Sequence, residues 1–409
     1  MTEDKGTLVP QIRFRGFTDA WVQRKLGEVA EFSKGNGYSK GDLIDKGNPI
    51  ILYGRLYTNY ETLIENVDAF TKMKENSVLS QGGEVIIPSS GETAEDISRA
   101  SVVAKAGIIL GGDLNIVKPD STIYPTFLAI IISNGNQQKE LSKRAQGKSV
   151  VHISNSDLKE VVLQLPSIIE QIAINNFFRT LDDTITLYKR KLDGLKELKK
   201  GYLQQMFPQA GKDVPQLRFT GFAGNWEKMR LGEVSTKVGR RNSNGEDFPA
   251  YSINNQVGFI PQGEQFEDSR LDNLNKDAYK IVEPNDFAYN PARVNVGSIA
   301  FNNLAKSVII SSLYVVVKMD ESVDNGFVLQ YIMSPEFITE VRKNTEGTVR
   351  EYLFYENFAN IAFPFAPIKA EQAAIGNFFR NIDEQILDQQ SKLDKLKQLK
   401  SAYLQKMFI

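Results

Sequence analysis

The sequence predicts an α+β protein: two similar mixed α/β domains separated by two long helices, which form an antiparallel coiled coil with pseudo-two-fold symmetry. Three observations lead to this prediction: a short block that occurs twice, a longer block that occurs twice, and a heptad pattern of apolar residues within the longer block. Between the repeated blocks lie two stretches, roughly 30–165 and 235–366, whose sequences do not match. The scaffold is duplicated while the inserts differ, as expected if the inserts perform parallel tasks on different targets.

The short block covers residues 10–29 and 215–234, which read PQIRFRGFTDAWVQRKLGEV and PQLRFTGFAGNWEKMRLGEV. Of these 20 positions 11 are identical, and the chain's only two tryptophans, Trp21 and Trp226, fall in register. Two copies about 200 residues apart are not the 20–50-residue stacking unit of a solenoid. The repeat therefore predicts a duplicated domain.

The longer block covers residues 166–207 and 367–408, which are identical at 23 of 42 positions. In both copies the apolar positions step alternately by four and three residues, the spacing of a heptad seam. The coiled coil is favoured over two surface helices packed on their own domains, because neither seam has another obvious apolar partner of that length. The predicted seams are Leu181, Ile185, Tyr188, Leu192, Leu195, Lys199, Tyr202 and Met206, and Ile382, Ile386, Gln389, Leu393, Leu396, Lys400, Tyr403 and Met407.

The ends of the two long helices also have sequence signals. Ser167 and Glu170 have the spacing of a capping box, and Pro367 precedes the second helix. Pro208 is expected to end the first helix. The predicted segments are a first mixed α/β domain at 1–165, a first helical spacer at 166–208, a second mixed α/β domain at 209–366 and a second helical spacer at 367–409.

The two inserts show the same order of predicted elements. In the first, residues 84–88 and 108–119 indicate strands and residues 125–144 a helix. In the second, residues 307–318 indicate a strand and residues 326–343 a helix. The inserts are therefore expected to share one α+β fold.

Three polar loops occupy matched places in both inserts. Arginine and asparagine or glutamine side chains fit guanine and adenine edges, while lysine and serine suit phosphate. Each loop alone could be an ordinary solvated turn, but the matching places favour a nucleic-acid interface. The predicted contacts are Arg55, Tyr57, Asn59, Ser89, Ser90, Arg144, Lys148 and Ser149 in the first insert, and Asn254, Asn255, Gln256, Asn290, Arg293, Asn295 and Arg350 in the second.

Composition excludes several classes of site. The formal net charge is −1, so any nucleic-acid surface has to be local. The chain has no cysteine and a single histidine, His152, so neither disulfides nor a thiolate or multi-histidine metal site is expected. The longest apolar stretches, such as residues 127–132, are too short to span a bilayer, and residues 1–9 lack a secretory pattern. An intracellular, cytoplasmic protein with no membrane partner is expected.

No enzyme motif is complete. Residues 147–149 read Gly-Lys-Ser, but a P-loop needs a glycine where Ser142 stands. Residues 290–293 read Asn-Pro-Ala-Arg, which lacks the second proline and the aromatic ring of an amino-methyltransferase loop. No G-x-G-x-x-G follows a strand. A standalone methyltransferase is therefore disfavoured, and no catalytic residue or metal site is predicted.

Over nearly the whole chain the sequence resembles the specificity subunits of type I restriction–modification systems. The resemblance rests on the P-Q-x-R-F-x-G-F…W…L-G-E-V blocks, the E-Q…N-F-F-R…Y-L-Q-x-M-F helices and the N-P-x-R-x-N-V-G-S loop at 290–298. It implies that each insert is a target-recognition domain reading one half of a bipartite, asymmetric site in double-stranded DNA. It also implies that the helices hold these domains apart.

The resemblance further implies a set of partners and no cofactor on this chain. The helices would bind two methyltransferase subunits, which carry S-adenosylmethionine and methylate adenine. Motor–nuclease subunits using ATP and Mg²⁺ would complete the restriction complex. The alternative from another class is an adaptor with two ligand-binding domains on a coiled-coil spacer, which would have no affinity for duplex DNA.

Overall fold

The chain divides into two compact units, described here from a computed structural model. The first unit comprises residues 1–188 and 392–409, and the second comprises residues 189–391. Each unit therefore contains one insert and a part of both long helices. The structure describes residues 9–145, 150–209, 211–255, 257–265, 276–345 and 352–408.

Apart from two long helices, the elements are short strands and short helices. The strands are β1 (Val22–Lys25), β2 (Ala30–Lys34), β3 (Leu43–Ile44), β4 (Asn48–Ile51), β5 (Leu63–Ile64), β6 (Phe70–Thr71), β7 (Val85–Pro88), β8 (Ser90–Gly91), β9 (Ser101–Val103), β10 (Ile109–Leu110), β11 (Leu114–Pro119), β12 (Val151–His152), β13 (Val162–Leu165), β14 (Glu227–Arg230), β15 (Ser235–Val238), β16 (Tyr251–Asn254), β17 (Gly258–Pro261), β18 (Lys280–Val282), β19 (Phe287–Tyr289), β20 (Ile299–Phe301), β21 (Val308–Ile310), β22 (Val315–Met319) and β23 (Ala362–Phe365). The helices are α1 (Arg55–Thr58), α2 (Ala94–Ile97), α3 (Pro125–Ile132), α4 (Gly135–Arg144), α5 (Asn155–Lys159), α6 (Ile168–Met206), α7 (Gln262–Gln265), α8 (Asn325–Ile332), α9 (Pro335–Asn344), α10 (Tyr355–Ala359) and α11 (Lys369–Lys406).

The two inserts share a sheet core, which confirms the predicted common α+β fold. In the first unit β11 lies between β2 and β7, and in the second β22 lies between β15 and β19; all four pairings are antiparallel. β22 repeats β11 with an offset of 200 residues, since Pro119 faces Ala30 and Met319 faces Ser235. The units differ outside this core: β3, β4, β6 and β10 form a sheet in the first, and β16 and β17 form a hairpin in the second.

The predicted single helices over 125–144 and 326–343 are wrong, because each stretch forms two helices. In the first unit the chain turns before Gly135, whose φ of +69° is accessible to glycine at little cost. In the second unit Pro335 begins α9, and the Ser334 hydroxyl accepts a hydrogen bond from the amide of the third helical residue. The residue preceding a proline is disfavoured in the helical region, so the helix restarts there.

The strand predictions hold for residues 84–88 but need correction at two other places. Residues 108–119 contain two strands, β10 and β11, separated by a turn in which Asp113 has a φ of +59°. Residues 307–318 likewise contain β21 and β22, separated by a turn closed by a hydrogen bond from the Tyr314 amide to the Ser311 carbonyl. Apolar runs on both sides of these turns concealed them in the sequence.

The long helices pack against each other in opposite directions within each unit. In the first unit Phe177 contacts Tyr403, and Asp182 pairs with Lys400. In the second, Lys199 pairs with Asp383 at 2.7 Å. All predicted seam residues are buried or half-buried, so the heptad pattern correctly identified the packed face. The seam lysines are accommodated because each reaches an aspartate on the other helix.

The predicted capping box at the start of α6 forms only in part. The Glu170 amide donates to the Ser167 hydroxyl at 3.3 Å, as predicted. The Glu170 carboxylate, however, accepts two hydrogen bonds of 2.7 Å from the Arg13 guanidinium. The second unit repeats this buried ion pair with Arg218 and Glu371. These pairs join each short repeated block to the start of a long helix.

The ends of the long helices complete the cores of the units. Phe408 packs against Trp21 in the first unit, and Phe207 packs against Trp226 in the second. Backbone hydrogen bonds repeat as well: Ile12 donates to the carbonyl of Lys406, as Leu217 does to that of Gln205. Among the described residues, no helix combines the length and apolar character needed to cross a membrane.

Candidate nucleic-acid interface

In the first insert the residues that follow the predicted loop at 144–149 pair with the loop at the end of β7. The strand β12, which begins two residues after the predicted loop at 144–149, pairs with β8 in the loop that follows β7. The Ile153 amide donates to the Ser89 carbonyl at 3.0 Å. The Ile153 side chain is buried in the core of the first unit, so it holds in place this junction between the two segments.

The second unit repeats this junction at matched positions. The Leu353 amide donates to the Pro291 carbonyl at 3.0 Å, and Leu353 is fully buried. Pro291 occupies the place of Ser89, because Tyr289 and Ile87 occupy the same register position beside the central strand. The same backbone frame thus presents unrelated side chains in the two units.

The third loop of the first insert is stabilised by Arg55. Its guanidinium donates to Asp68 at 2.8 Å and to Glu61 at 2.7 Å, so it is engaged within the loop. Tyr57 lies near the loop that follows β7. Burial is the main cause that raises the pKa of its hydroxyl, and the negative charge of Glu92 in that loop contributes. Asn59, at the end of α1, is exposed.

The third loop of the second insert contacts the loop after β19. The Asn255 side chain donates to the Val296 carbonyl at 3.4 Å. Gly297 has a φ of +87°, and a Cβ there would lie 3.4 Å from the Cβ of Asn255. Asn254 forms the end of β16, and its side chain accepts from the Val257 amide at 3.3 Å. The predicted loops therefore come together in this unit too.

The side chains of the remaining predicted contacts differ in availability. Ser89 and Ser90 are buried, and Arg144 pairs with Glu140 at 3.0 Å. The Asn290 side chain accepts from the Ala292 amide. Asn295 lies in a single 3-10 turn. Lys148, Ser149, Gln256 and Arg350 fall outside the described residues.

Arg293 is the predicted contact best placed to meet a ligand. Its side chain is exposed and makes no hydrogen bond or ion pair with the part of the chain that the structure describes. The backbone around it is fixed, since its amide donates to Asn290 and its carbonyl accepts from Ser298. An exposed guanidinium on a fixed loop is suited to a bidentate contact with a guanine edge.

A polar cavity of about 420 Å³ opens beside the junction of the first unit. Hydrogen bonds from Ser154, through its hydroxyl and its amide, hold the pKa of the Asp157 carboxyl below its usual range. His152 is exposed and lies at the surface of the protein. The cavity is lined by Lys34, Ser89, Asp113, His152, Ile153, Ser154 and Asp157.

Three residues that line the cavity, Lys34, Asp113 and Asp157, were not predicted from the sequence. Lys34 and Asp113 reach the cavity from the ends of two strands that are paired across 80 residues of sequence. Only the alternation around the buried Ile153 gave a local signal. Among the described residues, no group of three or more aspartate, glutamate or histidine side chains is arranged to hold a metal ion.

Comparison with known proteins agrees with this architecture. Residues 18–197 match the family model of the type I restriction modification DNA specificity domain. The chain is 24% identical over 412 residues to the putative type I restriction enzyme MjaX specificity subunit of Methanocaldococcus jannaschii, covering 94% of this chain and 92% of that one. The MjaVIII specificity subunit of the same organism is 19% identical over 371 residues, covering 85% and 84%.

Solved structures share the fold. The type I restriction–modification S subunit from M. genitalium superposes with a TM-score of 0.65 at 15% identity, over 98% of this chain and 99% of that chain. A chain from a study of complex assembly and conformational transition of the type I R-M system gives 0.54 at 17% identity, over 96% and 98%.

The matched family model and the two relatives indicate the class of protein, a DNA specificity protein of restriction–modification systems. Residues 18–197 match the DNA specificity domain of these systems, and nearly the whole chain is similar to specificity subunits of type I restriction enzymes. Members of this class supply sequence recognition to a larger complex that acts on DNA.

Proposed function

We propose that each unit reads one half of a bipartite, asymmetric target in double-stranded DNA. The observation that carries this is the repeated junction, where the Ile153–Ser89 and Leu353–Pro291 hydrogen bonds fix equivalent loops. The loops have the same backbone anchors and different side chains, as two readers of different half-sites require. Their contacts are the residues predicted from the sequence, with Arg293 as the principal base contact of the second unit.

The recognised target is passed to partner subunits. The long helices bind two methyltransferase subunits, which use S-adenosylmethionine to methylate adenine, and motor–nuclease subunits using ATP and Mg²⁺ cleave unmodified DNA. The chain itself binds none of these cofactors and acts in the cytoplasm. The names of the M. jannaschii relatives, both specificity subunits of type I restriction enzymes, support this assignment.

The test of the two-reader arrangement is an insert exchange. Replacing residues 30–165 with the insert of a relative is expected to change one half of the methylated motif and leave the other half unchanged. Methylome sequencing of a host that carries the variant with its methyltransferase subunit measures both halves. The matched control exchanges residues 235–366, which should change only the other half. A single insert that altered both halves, or neither, would exclude the arrangement.

The test of Arg293 separates base reading from phosphate binding. Arg293→Ala is expected to relax preference at one base pair by roughly 1–3 kcal/mol, because a bidentate guanidinium–guanine contact is lost. Arg293→Lys keeps the charge but not the planar fork, so it should relax the same position. Affinities for all single-base variants of the half-site give the answer. Uniform weakening of every sequence by the alanine variant, with recovery by lysine, would instead show a phosphate contact.

A further inference from the structure

The two units present the same small surface with opposite chemistry. In the first unit this surface is the polar cavity beside the Ile153 junction. Each residue that lines this cavity has a matched residue in the second unit. The match follows from the 200-residue offset between β11 and β22, from the strand registers on both sides of them, and from the starts of α5 and α10. The matched pairs are Lys34 with Gly239, Ser89 with Pro291, Asp113 with Leu313, His152 with Tyr352, Ile153 with Leu353, Ser154 with Phe354 and Asp157 with Asn357, the last of which is polar in both units.

In the second unit most of the matched positions carry apolar side chains, and two of these are open to solvent. Leu313 is 75% exposed and Phe354 is 46% exposed. The rings of Tyr352 and Phe354 are stacked, with centroids 5.7 Å apart and planes inclined by 7°. Removing large exposed apolar groups from water is favourable, so the stacked pair of Tyr352 and Phe354 indicates a contact surface, to which the exposed Leu313 belongs by its match with Asp113.

Phe354 also occupies a position where the local structure favours a different residue. It is the N-cap of α10 and makes no side-chain cap hydrogen bond. Its counterpart Ser154 caps α5, with its hydroxyl accepting from the Asp157 amide at 3.3 Å. Serine is among the best N-cap residues and large apolar residues are poor ones. A local rule broken in one copy of a repeated frame indicates that the side chain serves another purpose.

The neighbours of this surface indicate what covers it. Leu353 lies between Tyr352 and Phe354 in the sequence, and its amide donates to the Pro291 carbonyl. Arg293 is exposed two residues further along that loop. The ligand therefore offers an apolar group close to hydrogen-bond acceptors. In the major groove of DNA the C5 methyl of thymine is such a group, and guanine or adenine acceptors lie on neighbouring base pairs.

We propose that Tyr352, Phe354 and Leu313 form a thymine-methyl subsite in the second unit, at the position where the first unit has a hydrogen-bonding cavity. This proposal rests on the proposed function, since it specifies how the second half-site is read. The second half-site therefore contains an A·T pair whose thymine methyl lies against Phe354. The first unit reads its corresponding base pair through polar contacts.

The test removes the methyl group from the DNA and the aromatic ring from the protein. Duplexes carry uracil in place of thymine, one position at a time, in the second half-site defined by methylome sequencing, and binding to the full chain with its methyltransferase subunit is measured. One substitution is expected to weaken binding about fourfold, the equivalent of one buried methyl-sized group. Phe354→Ser is expected to bind thymine and uracil duplexes equally.

Phe354→Leu is the matched control, because it keeps an apolar side chain at a position that lacks a cap in both forms. It should retain most of the preference for thymine. Phe354→Ser supplies the cap residue that the first unit uses, so its loss of discrimination cannot be ascribed to unfolding of α10.

Three outcomes would overturn the subsite: a second half-site without an A·T pair, uracil substitutions without effect in the unaltered protein, or equal thymine preference in the serine and leucine variants. A protein that bound all duplexes alike would instead contradict the proposed function, and with it the subsite. Sequence-specific binding that persists while the uracil effect is missing contradicts the subsite alone.

Discussion

Phe408→Ala is expected to destabilise the first unit by about 3–5 kcal/mol, although this residue lies at the far end of the chain from that unit's insert. Its ring lies 6.4 Å from Trp21 and 6.0 Å from both Phe127 and Phe178, so removing it opens a cavity within an aromatic cluster. Denaturant unfolding followed by Trp21 fluorescence, in a Trp226→Phe background, measures the effect.

The second unit offers the matched control. Phe207 packs at 6.0 Å from Trp226 and 5.3 Å from Phe327, in the same arrangement. Phe207→Ala should shift the transition reported by Trp226, in a Trp21→Phe background, by a similar amount. Each substitution should act mainly on the tryptophan of its own unit. A Phe408→Ala protein whose Trp21 transition did not move would show that the helix end does not belong to the core of the first unit.

Arg218→Ala is expected to lower the free energy of unfolding by about 3–5 kcal/mol, because it leaves the carboxylate of Glu371 buried without a counter-charge. The guanidinium donates to Glu371 at 2.6 and 2.8 Å and to the backbone carbonyls of Gly224 and Ala223. The Glu371 side chain is completely buried. Thermal or denaturant unfolding, followed by Trp226, measures the loss.

The control replaces both partners at once. Arg218→Met combined with Glu371→Leu should recover much of the stability, since an apolar pair of similar volume leaves no charge buried. Arg13→Ala in the first unit should cost less, because Arg13 Nη1 has no hydrogen-bond partner among the described residues, whereas Arg218 Nη1 donates to Gly224. If the double variant were no more stable than Arg218→Ala alone, the loss would come from packing and not from an unpaired carboxylate.

Features that depend on residues close together in the sequence could be predicted. The heptad steps from Leu181 and from Ile382 identified the packed faces of both long helices, since side chains three and four residues apart share a helix face. Pro208 marked the end of α6 correctly. The breaks before Gly135 and Pro335 were missed, although a glycine in the first stretch and a proline in the second are signals that interrupt a helix.

The predicted site was correct for the backbone and incomplete for the side chains. The loops at Ser89 and Asn290 do join the segments that follow the insert helices. Arg55 shows what the sequence left undecided, because its charge is engaged by Asp68 and Glu61. An arginine in a polar loop is available to a ligand only if no carboxylate of the chain lies close enough to pair with it. The sequence does not give those distances.

The sequence by itself determined the duplicated frame, the common fold of the inserts and the family, because identical residues recur in the same order and periodicity reports local geometry. Only the tertiary structure decided that Lys34, Asp113 and His152 share one cavity, and that Tyr352 and Phe354 stack at the matched place. Those neighbours are set by strand register and by the junctions at Ile153 and Leu353. Register depends on which strands pair across the whole insert, and no local pattern records it.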